Sequence, residues 1–291
     1  MTFRFADRFE PVRVFPALGP PVPVVFDSPH SGTVYPNDFA MACPLASLRG
    51  AEDTFVDELF EAAPAAGAVL IAAEFPRSYI DANRALEDID EELIDGAWPG
   101  PVAPSEKTRL GKGLVWRLLN TGDAIYARRL SVGEVERRIA DYYRPYHAAL
   151  DAALDRVQAE FGVAYHIDCH SMPARVRTAA YPDGFEAADF VLGDRDGTSC
   201  EPGLIDLVAR TLAGLGYTVA RNDPYKGVEL VRRHGRPQDG RHSLQIEVNR
   251  RLYLTPSLGR SRGFQAVQRA LERLVGEICA YAEGQAAAAA E

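Results

Sequence analysis

The stretch Tyr165-His166-Ile167-Asp168-Cys169-His170-Ser171-Met172-Pro173 decides how the chain is read. It follows Phe161-Gly162-Val163-Ala164 and stops at a proline, which predicts a short buried strand running into a loop. Side chains alternate across a strand, so His166, Asp168 and His170 share one face. Two imidazoles and a carboxylate converging near a strand end suit a metal site. Two histidines hydrogen-bonded inside a core strand fit the same letters. A helical reading would put His166 and His170 one turn apart, but the glutamate of a His-Glu-x-x-His motif is absent. What tips the balance is a second strand end of the same kind, far away in sequence.

That second end is Pro23-Val24-Val25-Phe26-Asp27-Ser28-Pro29-His30, an apolar strand breaking at Pro29. His30 then lies just past a strand's carboxyl end, where open α/β sheets bind ligands. A third end is Ser243-Leu244-Gln245-Ile246-Glu247-Val248-Asn249, with Glu247 near its close. Partial burial would raise a carboxyl pKa there and make it a candidate general base. An ion pair with Arg250 or Arg251 is the plain alternative.

Between these strands the segments alternate. Ala51 to Phe60 reads as a helix start with Asp53 as N-cap and acidic residues in its first turn. Gly67 ends it and Ala68–Ala73 is the next buried strand. Arg77, Asp81, Asn83 and Arg84 then form a dense polar cluster, and arginine forks suit carboxylates. Residues 88–113 are too long for a plain connection and read as a lid or a loop flanking the active site. Within them, Gly111-Lys112-Gly113 lacks the spacing of a phosphate loop. Ser131 and Glu134 make a capping box for a helix reaching about Phe161, kinked at Pro145. His147 on that helix is assigned a structural place. A helix over 202–215, a strand over 217–220 and a C-terminal helix through Phe264, Leu271, Leu274 and Ile278 complete the pattern, with the Ala-rich 285–291 tail expected to fray. The expected fold is α/β: one domain over 1–291 with its core at about 20–283, and a mostly parallel central sheet flanked by helices.

Composition sets the outer bounds. At 47% hydrophobic and 25% charged the chain is an ordinary globular sequence. Its net charge of -9 argues against nucleic acid or an anionic membrane as partner, so an acidic substrate would need arginines concentrated locally. The cysteines Cys43, Cys169, Cys200 and Cys279 form no Cys-x-x-Cys pair, which fits a reducing compartment. No signal-peptide pattern and no apolar run of about 18 residues is present, so a cytoplasmic location is expected. A monomer is compatible with this pattern.

A catalytic zinc takes three protein ligands and keeps a position open. His30, His170 and a carboxylate from the segment between them meet that need, with Glu247 left to accept a proton from the attacking water. Asp168 lies on the face of β-strand residues His166 and His170 and is placed to orient either.

These segments also resemble the N-formylglutamate amidohydrolase family. The matching stretches are Ser28–Gly32, Glu52-Asp53-Thr54 through Asp57-Glu58-Leu59, Arg77 through Asp81-Ala82-Asn83-Arg84, His166–Pro173, Lys226-Gly227 and Gln245–Arg250, in order over about residues 24–254. The resemblance implies a phosphorylase/hydrolase-like, zinc-exopeptidase-like fold and one zinc ion. It implies His30, Asp53 and His170 as metal ligands, with Glu52 and Asp57 as alternates to Asp53, and Glu247 as catalytic base. Arg77, Arg84, Arg175, Arg250 and Asn249 become candidates for gripping the substrate, and Asp168, His166 and Asp81 for orienting the ligands. The implied reaction is cleavage of N-formyl-L-glutamate to formate and L-glutamate in histidine degradation. A zinc amidohydrolase of the same fold acting on another N-acyl amino acid or a short acidic peptide is the near alternative. A non-catalytic carboxylate-binding protein is the far one.

Overall fold

The nine residues Ala164–Met172 are all buried and form the middle strand of a seven-stranded sheet. The computed structural model describes residues 3–177 and 182–289. In chain order the sheet strands are β1 (Val12–Phe15), β2 (Val24–Ser28), β3 (Val69–Ala73), β4 (Ala164–Met172), β5 (Phe190–Gly193), β6 (Val219–Arg221) and β7 (Arg241–Asn249). Their spatial order is β6-β5-β7-β4-β2-β3-β1. β4 is parallel to both neighbours, β7 and β2, and β5 is parallel to β6 but antiparallel to β7. Besides two short helices at Leu45–Arg49 and Glu106–Arg109, the helices are α1 (Val56–Leu59), α2 (Val132–Arg138), α3 (Arg144–Phe161), α4 (Pro202–Gly214), α5 (Glu229–His234) and α6 (Phe264–Ala289). The architecture is the expected α/β one, a mostly parallel sheet flanked by helices.

Period-two alternation gives the three central strands one apolar and one polar face. Val24 and Phe26, Tyr165, Ile167 and Cys169, and Leu244, Ile246 and Val248 all join one buried cluster. That cluster includes Leu204, Ile205, Val208 and Leu212 of α4 and Val267, Leu271, Leu274, Val275 and Ile278 of α6. Leu271 is fully buried there, so Leu271→Ala is expected to cost about 2–5 kcal/mol of unfolding free energy in urea denaturation. The other face sets Asp27 beside Asp168, Ser243 beside His166, Gln245 beside Asp168 and Glu247 beside His170. Buried polar groups are costly unless paired. Here His166 is held through Nδ1 to Ser243 Oγ at 2.8 Å and through Nε2 to Asp27 Oδ1 at 2.9 Å.

The chain divides into two compact units that interleave along the sequence. One is drawn from Met1–Arg13, Pro29–Thr54 and Ala72–Ala149, the other from Val14–Ser28, Phe55–Ile71 and Leu150–Glu291. The second holds most of the sheet and the apolar cluster. The first has an aromatic core around the buried Arg138, whose Nη1 donates to the Tyr79 carbonyl at 3.0 Å and to Tyr126 Oη at 2.6 Å. The Arg138 guanidinium also lies 4.0 Å from the centre of the Tyr79 ring, a cation–π contact.

Several local expectations are revised. The helix after Ala51 is short, because Phe55, just before α1, has φ 66 and no side-chain cap forms. Asp53 is therefore not a cap; its N–H donates to the His30 carbonyl at 2.9 Å instead. The Ser131/Glu134 capping box is present, but the long helix changes to π geometry over Ile139–Tyr143 before α3. Pro145 has no N–H to give, and the wider turn accommodates it. His147 is buried, with Nε2 3.0 Å from the Ala82 carbonyl and its ring 4.1 Å from Tyr143. The 88–113 segment is tied down: Asp88 accepts from Ser105 N at 2.7 Å, Ser105 Oγ at 2.9 Å and the Thr108 hydroxyl. α6 continues to Ala289 through the stretch expected to fray, and residues 290–291 lie outside the described residues.

Candidate active site

Pro29 ends β2, and the chain turns so that His30 is buried just past the strand. The turn requires glycine at position 32, where a Cβ would stand 2.2 Å from the Phe75 carbonyl oxygen. His30 Nε2 is 2.7 Å from Asp81 Oδ1 and Nδ1 is 3.3 Å from Asp53 Oδ2. Asp81 Oδ2 in turn accepts from Arg77 Nη2 at 2.9 Å and from the Trp116 indole at 3.1 Å. Burial pushes the Asp81 pKa up, but Arg77, His30 and Arg84 outweigh it and hold the carboxyl well below the usual range. An ionised carboxylate only accepts, so His30 Nε2 carries the proton and, in the neutral ring, Nδ1 keeps its lone pair.

His170 also has a carboxylate beside it. Its Nε2 is 2.7 Å from Oδ1 of the fully buried Asp168, two residues earlier on the same strand face. The two groups are close enough for charge to couple them, although Asp168 Oδ1 makes no hydrogen bond of good geometry. β2 and β4 run in parallel register through Asp27 and Asp168, so the next residues of both strands lead to the same end of the sheet. His30, Asp53 and His170, all buried, each offer one ligand atom, and these atoms lie within 4.8 Å of one another.

The donor set fits a divalent ion. Nδ1 of His30 and Oδ2 of Asp53 stand 3.3 Å apart, a spacing that a proton or a metal ion shared between them would satisfy. Ligands about 2.0–2.1 Å from a tetrahedral zinc stand roughly 3.3 Å apart. Glu52 is engaged elsewhere: it accepts from the Tyr35 hydroxyl and from Arg49 Nε at 3.3 Å. Asp57 lies on α1. Asp168→Asn is expected to weaken metal retention about 10–100-fold, measured by competition with a chelator.

Glu247 is the register partner of His170 on the adjacent parallel strand, roughly 4.8 Å away across the ladder, on the same face. It is 7% exposed, and its Oε1 accepts from Gln245 Nε2 at 2.9 Å. Arg250 Nε donates at 3.0 Å to Oγ of Ser171, the residue after His170. Arg77 is beside Asp81 and 3.9 Å from Asp53. The remaining candidates are placed differently. Arg84 is buried, donating to the Lys112 carbonyl at 3.0 Å and the Asn83 carbonyl at 2.8 Å. Asn249 donates to the Ala188 carbonyl at 3.0 Å and accepts from Arg251 N at 3.1 Å. Arg175 sits in an exposed hairpin and donates to the Asp183 carbonyl at 2.8 Å. Trp116 and Lys112 also join the cluster, the Lys112 Nζ 5.6 Å from the Trp116 ring centre. The sequence marks Lys112 only as part of a Gly-Lys-Gly turn without phosphate-loop spacing, and no local pattern marks Trp116.

Fold and donor chemistry define the class first: an α/β enzyme with a buried histidine–carboxylate group suited to hydrolysis. A family model described as N-formylglutamate amidohydrolase matches residues 22–254. An N-formylglutamate deformylase of Pseudomonas putida is 28% identical over 270 residues, covering 89% of this chain and 93% of that protein. The N-formylglutamate deformylase of Pseudomonas aeruginosa is 30% identical over 239 residues, covering 80% of this chain and 82% of that protein. The crystal structure of N-formylglutamate amidohydrolase from Ralstonia eutropha JMP134 superposes with a TM-score of 0.91 at 50% identity, covering 95% of this chain and all of that one. The chain belongs to the N-formylglutamate amidohydrolase family and is a hydrolase of linear amide C–N bonds. No helix among the described residues is long and apolar enough to cross a membrane.

Proposed function

We propose that the chain hydrolyses N-formyl-L-glutamate to formate and L-glutamate, using one zinc ion held by His30, Asp53 and His170. The observation that carries this reading is the group of three buried ligand atoms within 4.8 Å of one another. Glu247, in register beside His170, complements it. When bound, the ion supplies a Lewis acid that acidifies water and polarises the formyl carbonyl.

The protein's own residues do the rest. Asp81 holds Nε2 of His30 and leaves Nδ1 facing Asp53, while Asp168 lies against Nε2 of His170. Glu247 takes a proton from the attacking water as its oxygen bonds to the formyl carbon. The C–N bond then breaks and Glu247 returns that proton to the departing amine. Arg77 and Arg250 supply positive charge for the substrate carboxylates against a chain of net charge -9. The four cysteines are free, which supports a reducing location, and we assign the reaction to histidine degradation in the cytoplasm.

The test is product release from matched N-acyl-glutamates by metal-loaded protein. Formate from N-formyl-L-glutamate should far exceed acetate or succinate from the N-acetyl and N-succinyl analogues. Faster release of either larger acid would sink the formyl assignment.

A further inference from the structure

The turn Gly111-Lys112-Gly113 is tightly constrained, although it lacks the spacing of a phosphate loop. Gly111 has φ +72, and a Cβ there would meet Leu118 Cγ at 2.6 Å. A Cβ on Gly113 would meet the Asp88 carbonyl oxygen at 2.6 Å. The backbone between is fixed by Lys112 N to the Lys107 carbonyl at 2.9 Å and by Arg84 Nε to the Lys112 carbonyl at 3.0 Å. Only glycine fits on either side, so the lysine between them is held in one place.

Its surroundings are cationic. Arg77 and Lys112 both approach the Trp116 ring, at 5.0 and 5.6 Å from its centre, and the Trp116 indole donates to Asp81, the partner of His30. Asp81 is already shared by Arg77 and Arg84, at 2.9 and 3.8 Å. Asp88 is occupied by Ser105 and Thr108. Among the described residues no carboxylate pairs with the half-buried Lys112 ammonium.

We infer that Gly111-Lys112-Gly113 is an anion-recognition turn in which Lys112 selects substrates with a second carboxylate. This deepens the deformylase reading and rests on it for the identity of the substrate. A cation placed among cations and beside the indole that braces His30 gains most from an incoming anion. The pKa follows the same logic. Burial first, then Lys107, Arg77 and Arg84, lower Lys112 from 10.5 to about 8. Its charge is therefore lost as pH rises through that value, and selectivity for the dicarboxylate should fall with it.

The experiment compares kcat/KM for N-formyl-L-glutamate and for N-formyl-L-glutamine, equally long but lacking the side-chain carboxylate, in wild type, K112M and K112R. A hydrogen bond to a charged group predicts a ratio lowered about 10–100-fold in K112M, carried by KM, and largely kept in K112R. An unchanged ratio in K112M overturns the inference, because a structural role would depress both substrates together. A second arm needs no turnover: calorimetric binding of glutarate and butyrate to wild type and K112M. Preference for glutarate should be lost in K112M, and equal preference in both proteins overturns the assignment. Wild-type protein that releases formate from neither substrate, yet keeps a Lys112-dependent glutarate preference, sinks the deformylase reading and sustains this one.

Discussion

Glu247→Gln is expected to lower kcat about 10²–10⁴-fold while leaving metal content unchanged. Glutamine keeps the size of the side chain and can still meet Gln245, so the parallel register that sets position 247 beside His170 should survive. What is lost is a group able to hold a proton between water and the leaving amine. Because the group acts on the reaction rather than on binding, KM should move little. Single-turnover formate release, with elemental analysis of the same preparation, separates the outcomes. A metal-replete variant with full turnover would remove Glu247 from the chemistry.

His170→Ala should be at least as damaging by a different route. On the proposed reading it removes one of three ligand atoms, and with it a Lewis acid whose charge stabilisation is worth several kcal/mol, about 10³-fold or more in rate. It also leaves the fully buried Asp168 without the His170 ring, so some thermal stability should go too. Circular dichroism separates loss of metal from loss of fold. A folded variant that binds metal as tightly as wild type would exclude His170 as a ligand.

Much of the frame of this site was legible in the sequence, because strand alternation is a strict rule. The letters from Tyr165 to Met172 fixed which side chains share a face, and the strand around Glu247 has the same period, so pairing the two strands sets Glu247 beside His170. Pro29 marked the end of β2 and put His30 beyond it. Asp53 was harder: near a helix start its letters suit a cap, and the left-handed turn at Phe55 that frees its side chain toward His30 has no glycine to announce it. The His30–Asp81 pair joins residues 51 apart, which no periodicity reveals. Arginines were legible as a group but not individually. Arg84 and Arg77 flank one cluster, yet the first satisfies buried backbone carbonyls while the second is beside Asp81 and Asp53. Trp116 was not legible, and Lys112 was legible only as part of a Gly-Lys-Gly turn without phosphate-loop spacing, because their neighbours come from the folding of the 88–113 segment and the residues just after it.

In the proposed mechanism two distant imidazoles and Asp53 hold one divalent ion that the reaction needs. Titrating chelator-stripped wild-type protein with zinc, and following bound metal and formate release on the same samples, tests it most directly. Activity should rise from the baseline in proportion to bound metal and saturate at about one ion per chain, with His170→Ala showing neither. Full turnover by the stripped protein would show that the reaction needs no metal.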